Sequence, residues 1–550
     1  MQKQRLFTMP KLHFTLLLFC LAGLLWPHTM QAQRHYERLA QLDVQHYAFS
    51  LTLSDTTEEI RGIALVHIRF RQPVSAFYLD LKNQHRTGIG MAVSAVLLDD
   101  NPLKWEHQND RLTIQLSQPA RLDTTYAFRI DYQGIPADGL VIDQNKFGHR
   151  TFFGDNWPNR AHHWLPTVDH PSDKASVEFI VTAPAHWQVV ANGILLEKTN
   201  LGNGLTLTHW GEKVPLPTKV MVIGVAPFAV RLAGEVQGIP VTSWVFSENR
   251  LEGFYDYEPA LDILDWFITN VGPYPYRKLA NVQSKTRYGG MENASNIFYF
   301  ENSVTGRRGQ ERLIAHEIAH QWFGNSASEA NWHHVWLSEG FATYMTNLYV
   351  EHAEGREAFV ALLETQRQQV VSYAKRNLMP IVDTTVTDYN RLLNTNSYQK
   401  GGWVLHMLRQ EVGDSLFWQG IRTYYTRFAG SNALTDDFRE VMETVSGQDL
   451  QAFFQQWLYS AGHPKLAVQW RYDAAAGLIR GSIRQTQKTP IFEVHLDIAV
   501  YQDPASAPQV HTVRLQGAET TFELPAARAP ERLLLDPAVK LLFEGTVTQK

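Results

Sequence analysis

Between Ile60 and Phe70 the chain reads "IRGIALVHIRF", which places Ala64, Val66, Ile68 and Phe70 on one face of an extended segment and Leu65, His67 and Arg69 on the other. This period of two recurs through the first 200 or so residues, with turn signals such as "SDTT" and "LDDNP" between the runs, and predicts a β-sandwich-like domain. From about Gly253 the period lengthens. The segments "YEPALDILDWFITNVG", "RRGQERLIAHEIAHQWFG", "LSEGFATYMTNLYVEHAEG" and "LTDDFREVMETVSG" carry apolar residues at helical spacing. A third change follows "YSAGHPKL": in "VHLDIAVY" Val494, Leu496, Ile498 and Val500 share one strand face. The pattern predicts a multidomain α+β chain, with an N-terminal β-domain over 33–232, a mostly helical domain over 233–462 and a small C-terminal β-domain over 463–550. No internal repeat or low-complexity tract interrupts it.

The first 32 residues stand outside this pattern. Lys3, Arg5 and Lys11 precede the apolar run "FTLLLFCLAGLLW" (Phe14 to Trp26), and Ala32 is a suitable last residue before cleavage. The segment reads as a secretory signal peptide, because its 13 apolar residues fall short of the roughly 20 needed to span a bilayer. The expected mature chain is exported, periplasmic or extracellular, with no stable membrane anchor. The single cysteine, Cys20, lies inside the apolar run, and the bulky Phe19 before it argues against lipoprotein processing. An exported chain without cysteines has no disulfide framework to maintain.

Composition adds scale and excludes one class of partner. At 550 residues with 44% hydrophobic content the chain can fill about three or four domains. Its 50 Lys and Arg balance 55 Asp and Glu without long runs of either sign, so nucleic acid is not an expected partner.

The chemistry starts at "HEIAH". On a helix, at about 100° per residue, His316 and His320 lie only about 40° out of line, so both imidazoles can reach one ion. Glu317 is turned about 100° from His316 and flanks that ion without binding it. Two neutral ligands and an adjacent carboxylate able to take a proton from water are what a metal-assisted hydrolase needs. The same five residues can also arise by chance in a chain with 22 histidines. A catalytic zinc usually has three protein ligands. Glu339 in "VWLSEGFATYM", with eighteen residues between it and His320, is a candidate third, at a spacing that fits a connection and a returning helix. Read alone, it would be a glutamate favoured by the dipole at a helix start.

"HEIAH", eighteen residues and Glu339 resemble the zinc signature of the gluzincin aminopeptidase N and leukotriene hydrolase family. "GGMEN" (Gly289 to Asn293) stands where that family has its Gly-x-Met-Glu-Asn exopeptidase motif. "SYQKGG" is similar to its Tyr-x-Lys-Gly segment at Tyr398, Lys400 and Gly401, and "WLPTVDHPSDKASVEF" (Trp164 to Phe179) to its first domain. The resemblance implies a thermolysin-like zinc domain between two β-sandwich domains, without the large C-terminal helical domain of many relatives. It implies one Zn2+ per chain on His316, His320 and Glu339, Glu317 as general base, and Tyr398 as donor to the oxyanion. Gly289, Gly290, Met291 and Glu292 would bind substrate, Glu292 pairing with a free α-ammonium.

The expected function is a zinc aminopeptidase, monomeric, acting on peptides with a free N-terminus. Alternatives on the same centre are a peptide-binding pseudoenzyme, an epoxide hydrolase and an endopeptidase. One departure stands out: where relatives place a second polar residue for the amine, spacing puts Trp157 here, with Asp155 the nearest carboxylate.

Overall fold

The computed structural model describes residues 38–488, 490–503 and 507–550. The expected signal peptide, with Cys20, lies outside the described residues. Among these, no helix is long and apolar enough to cross a membrane.

The alternating segments form sheets as expected. Ile60–Phe70 buries every second side chain and sits within an eight-stranded sheet, ordered Ile194–Gly202, Leu205–Pro217, Lys174–Pro184, Leu42–Thr52, Ile60–Phe70, Thr124–Ile135, Gly90–Leu98 and Asn101–Pro102. Neighbouring strands run antiparallel except Leu42–Thr52 and Lys174–Pro184, which are parallel. A three-stranded sheet packs against it through Phe77, whose ring lies 4.8 Å from Phe128 and 5.3 Å from Phe70. Burying side chains of this size contributes roughly 1.5–3 kcal/mol each. A four-stranded sheet (Gln188–Ala191, Ile223–Ala226, Arg150–Gly154, Leu140–Gln144) leads out of Gly154 to Trp157.

A five-stranded sheet follows, in the order Phe228–Val236, Ile239–Phe246, Leu279–Ser284, Asn296–Phe300 and Gly290–Met291. Its last strand is two residues long and antiparallel to its neighbour, with Gly290 opposite Tyr299 and Met291 opposite Phe298. The α-helices that accompany it are α1 (Arg250–Asp256), α2 (Ala260–Asn270), α3 (Glu311–Ala319), α4 (Trp336–Ala353), α5 (Arg356–Ala374), α6 (Gly401–Val412), α7 (Asp414–Phe428), α8 (Thr435–Ser446) and α9 (Gln451–Leu458). The C-terminal strands form sheets of four and three, and Val494, Leu496, Ile498 and Val500 point into their core. These sheets dock on α5 and α6. Arg367 pairs with Asp536, and His406 Nε2 donates to the carbonyl of Val539 at 2.9 Å.

Candidate active site

Helix α3 carries the first imidazole and ends at the second. Ile314, Ala315, Ile318 and Ala319 are buried on its core side, which fixes the rotation that presents His316 and His320 together. Glu311 in the first turn suits the dipole and accepts from Tyr349 Oη at 2.8 Å. Glu339 comes from the first turn of α4.

The three donor atoms form a nearly equilateral triangle. His316 Nε2 and His320 Nε2 are 3.1 Å apart, and Glu339 Oε2 lies 3.4 Å from the first and 3.2 Å from the second. A tetrahedral zinc with bonds of about 2.0–2.2 Å requires ligand separations of about 3.3–3.5 Å, so the triad fits that ion. Tautomers agree. His320 Nδ1 is 3.1 Å from the carbonyl of Phe323, which can only accept, so Nδ1 carries the proton and Nε2 offers its lone pair. Ser338 Oγ, also at 3.1 Å from Nδ1, holds the ring from the other side.

The electrostatics point the same way. Burial lowers the basicity of His320, but Glu339 and its acidic neighbours overcome this and raise it to about 9. Burial works against the charge of Glu339, and the two imidazoles outweigh it, holding the carboxyl well below its usual range. Glu292, Glu317 and Glu339 share one pocket whose lining includes no Lys or Arg. Three carboxylates in such a place call for cations.

Glu317, Glu292, Gly290, Met291 and Tyr398 line this pocket, and Gly289 adjoins it. Burial pushes the Glu317 carboxyl well above its usual range, against the pull of His320. Glu292 is buried, and its Oε1 has no hydrogen-bond partner. Gly290 is where strand and helix nearly touch: a Cβ there would stand 2.2 Å from Glu317 Oε1. Gly289 adjoins the pocket edge, and Met291 lines it. Tyr398 lies in a π-helical turn, Asn396–Lys400, its ring stacked at 6.0 Å on that of His316. Burial keeps its phenol protonated, with the Glu339 and Glu292 charges adding to the effect. That turn is brought to the triad by a bare crossing of α4 and α6, where a Cβ on Gly340 would meet Gly401 Cα at 3.0 Å.

Asp155 takes no part in the pocket. Its Oδ1 accepts from Arg160 Nη2 at 2.6 Å and its Oδ2 from the backbone N–H of Arg287 at 3.1 Å, whereas Trp157 lines the pocket wall beside Tyr288. Sequence reasoning also missed the braces behind the site. Gln321 Nε2 and Asn325 Nδ2 donate to the carbonyl of Glu292 at 2.8 and 2.6 Å, locking the end of α3 to the residue that follows the strand Gly290–Met291. Lys174, from the eight-stranded sheet, donates to the carbonyls of Asn325, Ser326 and Ser431. The proximity of Gln321 and Asn325 to "HEIAH" was the only signal available for them.

Comparison with known proteins gives the family. The profile of the Peptidase M1 N-terminal domain matches residues 43–220, and that of the Peptidase family M1 domain matches residues 255–457. The chain belongs to peptidase family M1. M1 relatives include glutamyl aminopeptidase of Sus scrofa, 26% identical over 330 residues that make up 57% of this chain and 35% of that protein. Another is probable aminopeptidase 1 of Sulfurisphaera tokodaii, 24% identical over 84% of this chain and 57% of the relative. The chain thus spans about a third to somewhat over half of the length of these curated relatives. Among solved structures, the M1 zinc metallopeptidase from Deinococcus radiodurans superposes with a TM-score of 0.67 at 27% identity, covering 77% of this chain and 95% of that one. A mutant of that protein bound to a Tyr-Ser-Ala substrate gives a TM-score of 0.66. Zinc is the cofactor expected in the M1 family, and the triad described above suits it.

Proposed function

We propose that this M1 protein is an exported zinc aminopeptidase that hydrolyses the first peptide bond of peptides with a free N-terminus. The observation that carries the reading is Glu292: a buried carboxylate oxygen without a partner, beside the triad, in a pocket whose lining includes no Lys or Arg. A substrate α-ammonium supplies the missing donor.

When bound by His316, His320 and Glu339, zinc supplies Lewis acidity and brings the ionisation of water to about pH 7. Glu317, beside the triad, takes the proton and delivers it to the departing amine. Tyr398 keeps its proton and donates to the oxygen on which negative charge builds. Glu292 holds the ammonium and so sets the distance from chain end to scissile bond. Trp157 and Tyr288 give the pocket an aromatic wall, which favours an uncharged first side chain. Export rests on the apolar run Phe14 to Trp26, and N-terminal sequencing of the mature protein tests it.

The deciding experiment compares kcat/KM for matched free and N-acetylated peptides. Acetylation leaves Glu292 desolvated and unpaired, at a cost of about 1–3 kcal/mol or more, so blocked peptides are expected to react about 10-fold to over 100-fold more slowly. The gap should narrow in Glu292→Ala. Equal cleavage of both peptides at internal bonds by the wild type would make the protein an endopeptidase.

A further inference from the structure

The aromatic wall of the pocket is tied from behind to a node of four charged side chains drawn from three stretches of chain: Asp138, Asp155 with Arg160, and Arg287. Asp155 and Arg160 are buried and pair through Oδ1 and Nη2 at 2.6 Å. Arg160 directs its other donors to two more oxygens: Nε donates to the carbonyl of Trp157 at 2.7 Å and Nη1 to Asp138 Oδ1 at 3.2 Å. Arg287 Nη2 also pairs with Asp138 Oδ1. The second oxygen of Asp155 accepts from the backbone N–H of Arg287 at 3.1 Å, one residue before Tyr288.

One carboxylate therefore braces two rings of the pocket lining. Through Arg160 it fixes the carbonyl of Trp157, and through the N–H of Arg287 it fixes the chain that enters Tyr288 and continues into Gly290–Met291 and Glu292. The rings of Trp157 and Tyr288 meet edge to face at 6.5 Å, and Trp157 also abuts Trp332 edge to face at 5.6 Å. A guanidinium presents its donors in a rigid planar fork, so three acceptors on one Arg160 allow little play.

We propose that Asp155 and Arg160 are positioning residues that set the selectivity for the first side chain of the substrate, favouring a large aromatic or branched apolar residue over a small one. The inference rests on the aminopeptidase reading above. With the ammonium on Glu292, the first side chain lies against Trp157, Tyr288, Met291 and Leu393, which belong to the same lining. Dispersion contacts fall away steeply when a gap opens, so a displaced wall weakens the hold on a large residue more than on alanine.

The test compares kcat/KM for matched peptides beginning with Phe and with Ala in the wild type, Asp155→Asn and Arg160→Lys. Asparagine keeps the size of Asp155 but turns one acceptor into a donor, and a single ammonium in place of Arg160 lacks the fork that spans three oxygens. The wild type is expected to prefer Phe by about 10-fold or more. Each variant should lose most of that preference through a higher KM for the Phe peptide, while zinc content and the rate on the Ala peptide stay near those of the wild type. A wild type without the preference, or zinc-loaded variants that keep it or slow both peptides equally, would overturn the proposal. If Asp155→Asn loses its zinc through misfolding, Arg160→Lys decides. A wild type that leaves the first bond of both peptides intact would remove the aminopeptidase reading itself, whereas the other adverse results, with that bond still cleaved, remove the positioning role alone.

Discussion

At the scale of single residues the pocket separates holding the metal from moving protons. Glu317 is not one of the three residues of the triad, and Glu317→Gln is therefore expected to retain zinc while kcat falls about 10²- to 10⁴-fold. Tyr398→Phe should lower kcat by about 10²- to 10³-fold, as loss of one oxyanion donor does. Metal analysis alongside initial rates checks both, and wild-type rates in either variant would remove that residue from the mechanism. Lys400, two positions beyond Tyr398, offers a pH test. It is buried, its ammonium donates to the carbonyl of Ser460 at 3.5 Å, and burial pulls that ammonium down to about 7 from the usual 10.5. Its folded pKa is depressed, so between about pH 7 and 10.5 the unfolded chain binds more protons than the folded one. Stability from this group rises with pH across that window and is lost as pH falls towards 7. Lys400→Met should accordingly raise the urea midpoint most at pH 6 and progressively less towards pH 9. A gain that grows with pH would contradict the assignment.

At the scale of elements the crossing of α4 and α6 decides where Tyr398 sits relative to Glu339. Gly340→Ala sets a methyl 3.0 Å from Gly401 Cα, against backbone that cannot turn aside. The expected result is a loss of about 1–3 kcal/mol in unfolding free energy and a lower kcat, with the triad still able to hold zinc. An unchanged urea midpoint would show that the helices separate freely. This crossing could not be read from the sequence, whereas the alternation in Ile60–Phe70 and Val494–Tyr501 and the spacing from His316 to Glu339 could. Each of those signals lies within one or two elements, where period or offset translates directly into geometry. Helix α6 gives no such signal, because Gly401 through Leu408 are all buried and no polar stripe marks its period. The braces Gln321, Asn325 and Lys174 escaped for a related reason: their partners are backbone carbonyls, to which side-chain patterns are blind.

At the scale of the whole molecule, two lysines tie the N-terminal domain to the segments beside the helical site. Lys219 pairs with Glu329 at 2.6 Å with both side chains buried, and Lys174 caps three carbonyls, two of them just beyond α3. Lys174→Met strands those carbonyls at a cost of about 1–3 kcal/mol each where no water replaces the ammonium. It should lower the thermal midpoint and, by loosening Asn325 behind Glu292, raise KM for free peptides. Unchanged values of both would show the contact to be incidental. The two-residue strand Gly290–Met291 is the outermost of its sheet, with one edge unpaired. A peptide that adds to such an edge is gripped by its main chain, but only for the length of a couple of residues. So short a grip measures direction and the start of a chain while leaving the text that follows almost unread. On the aminopeptidase reading proposed above, a site built this way is suited to peptides of mixed sequence, and poorly suited to picking out a single messenger.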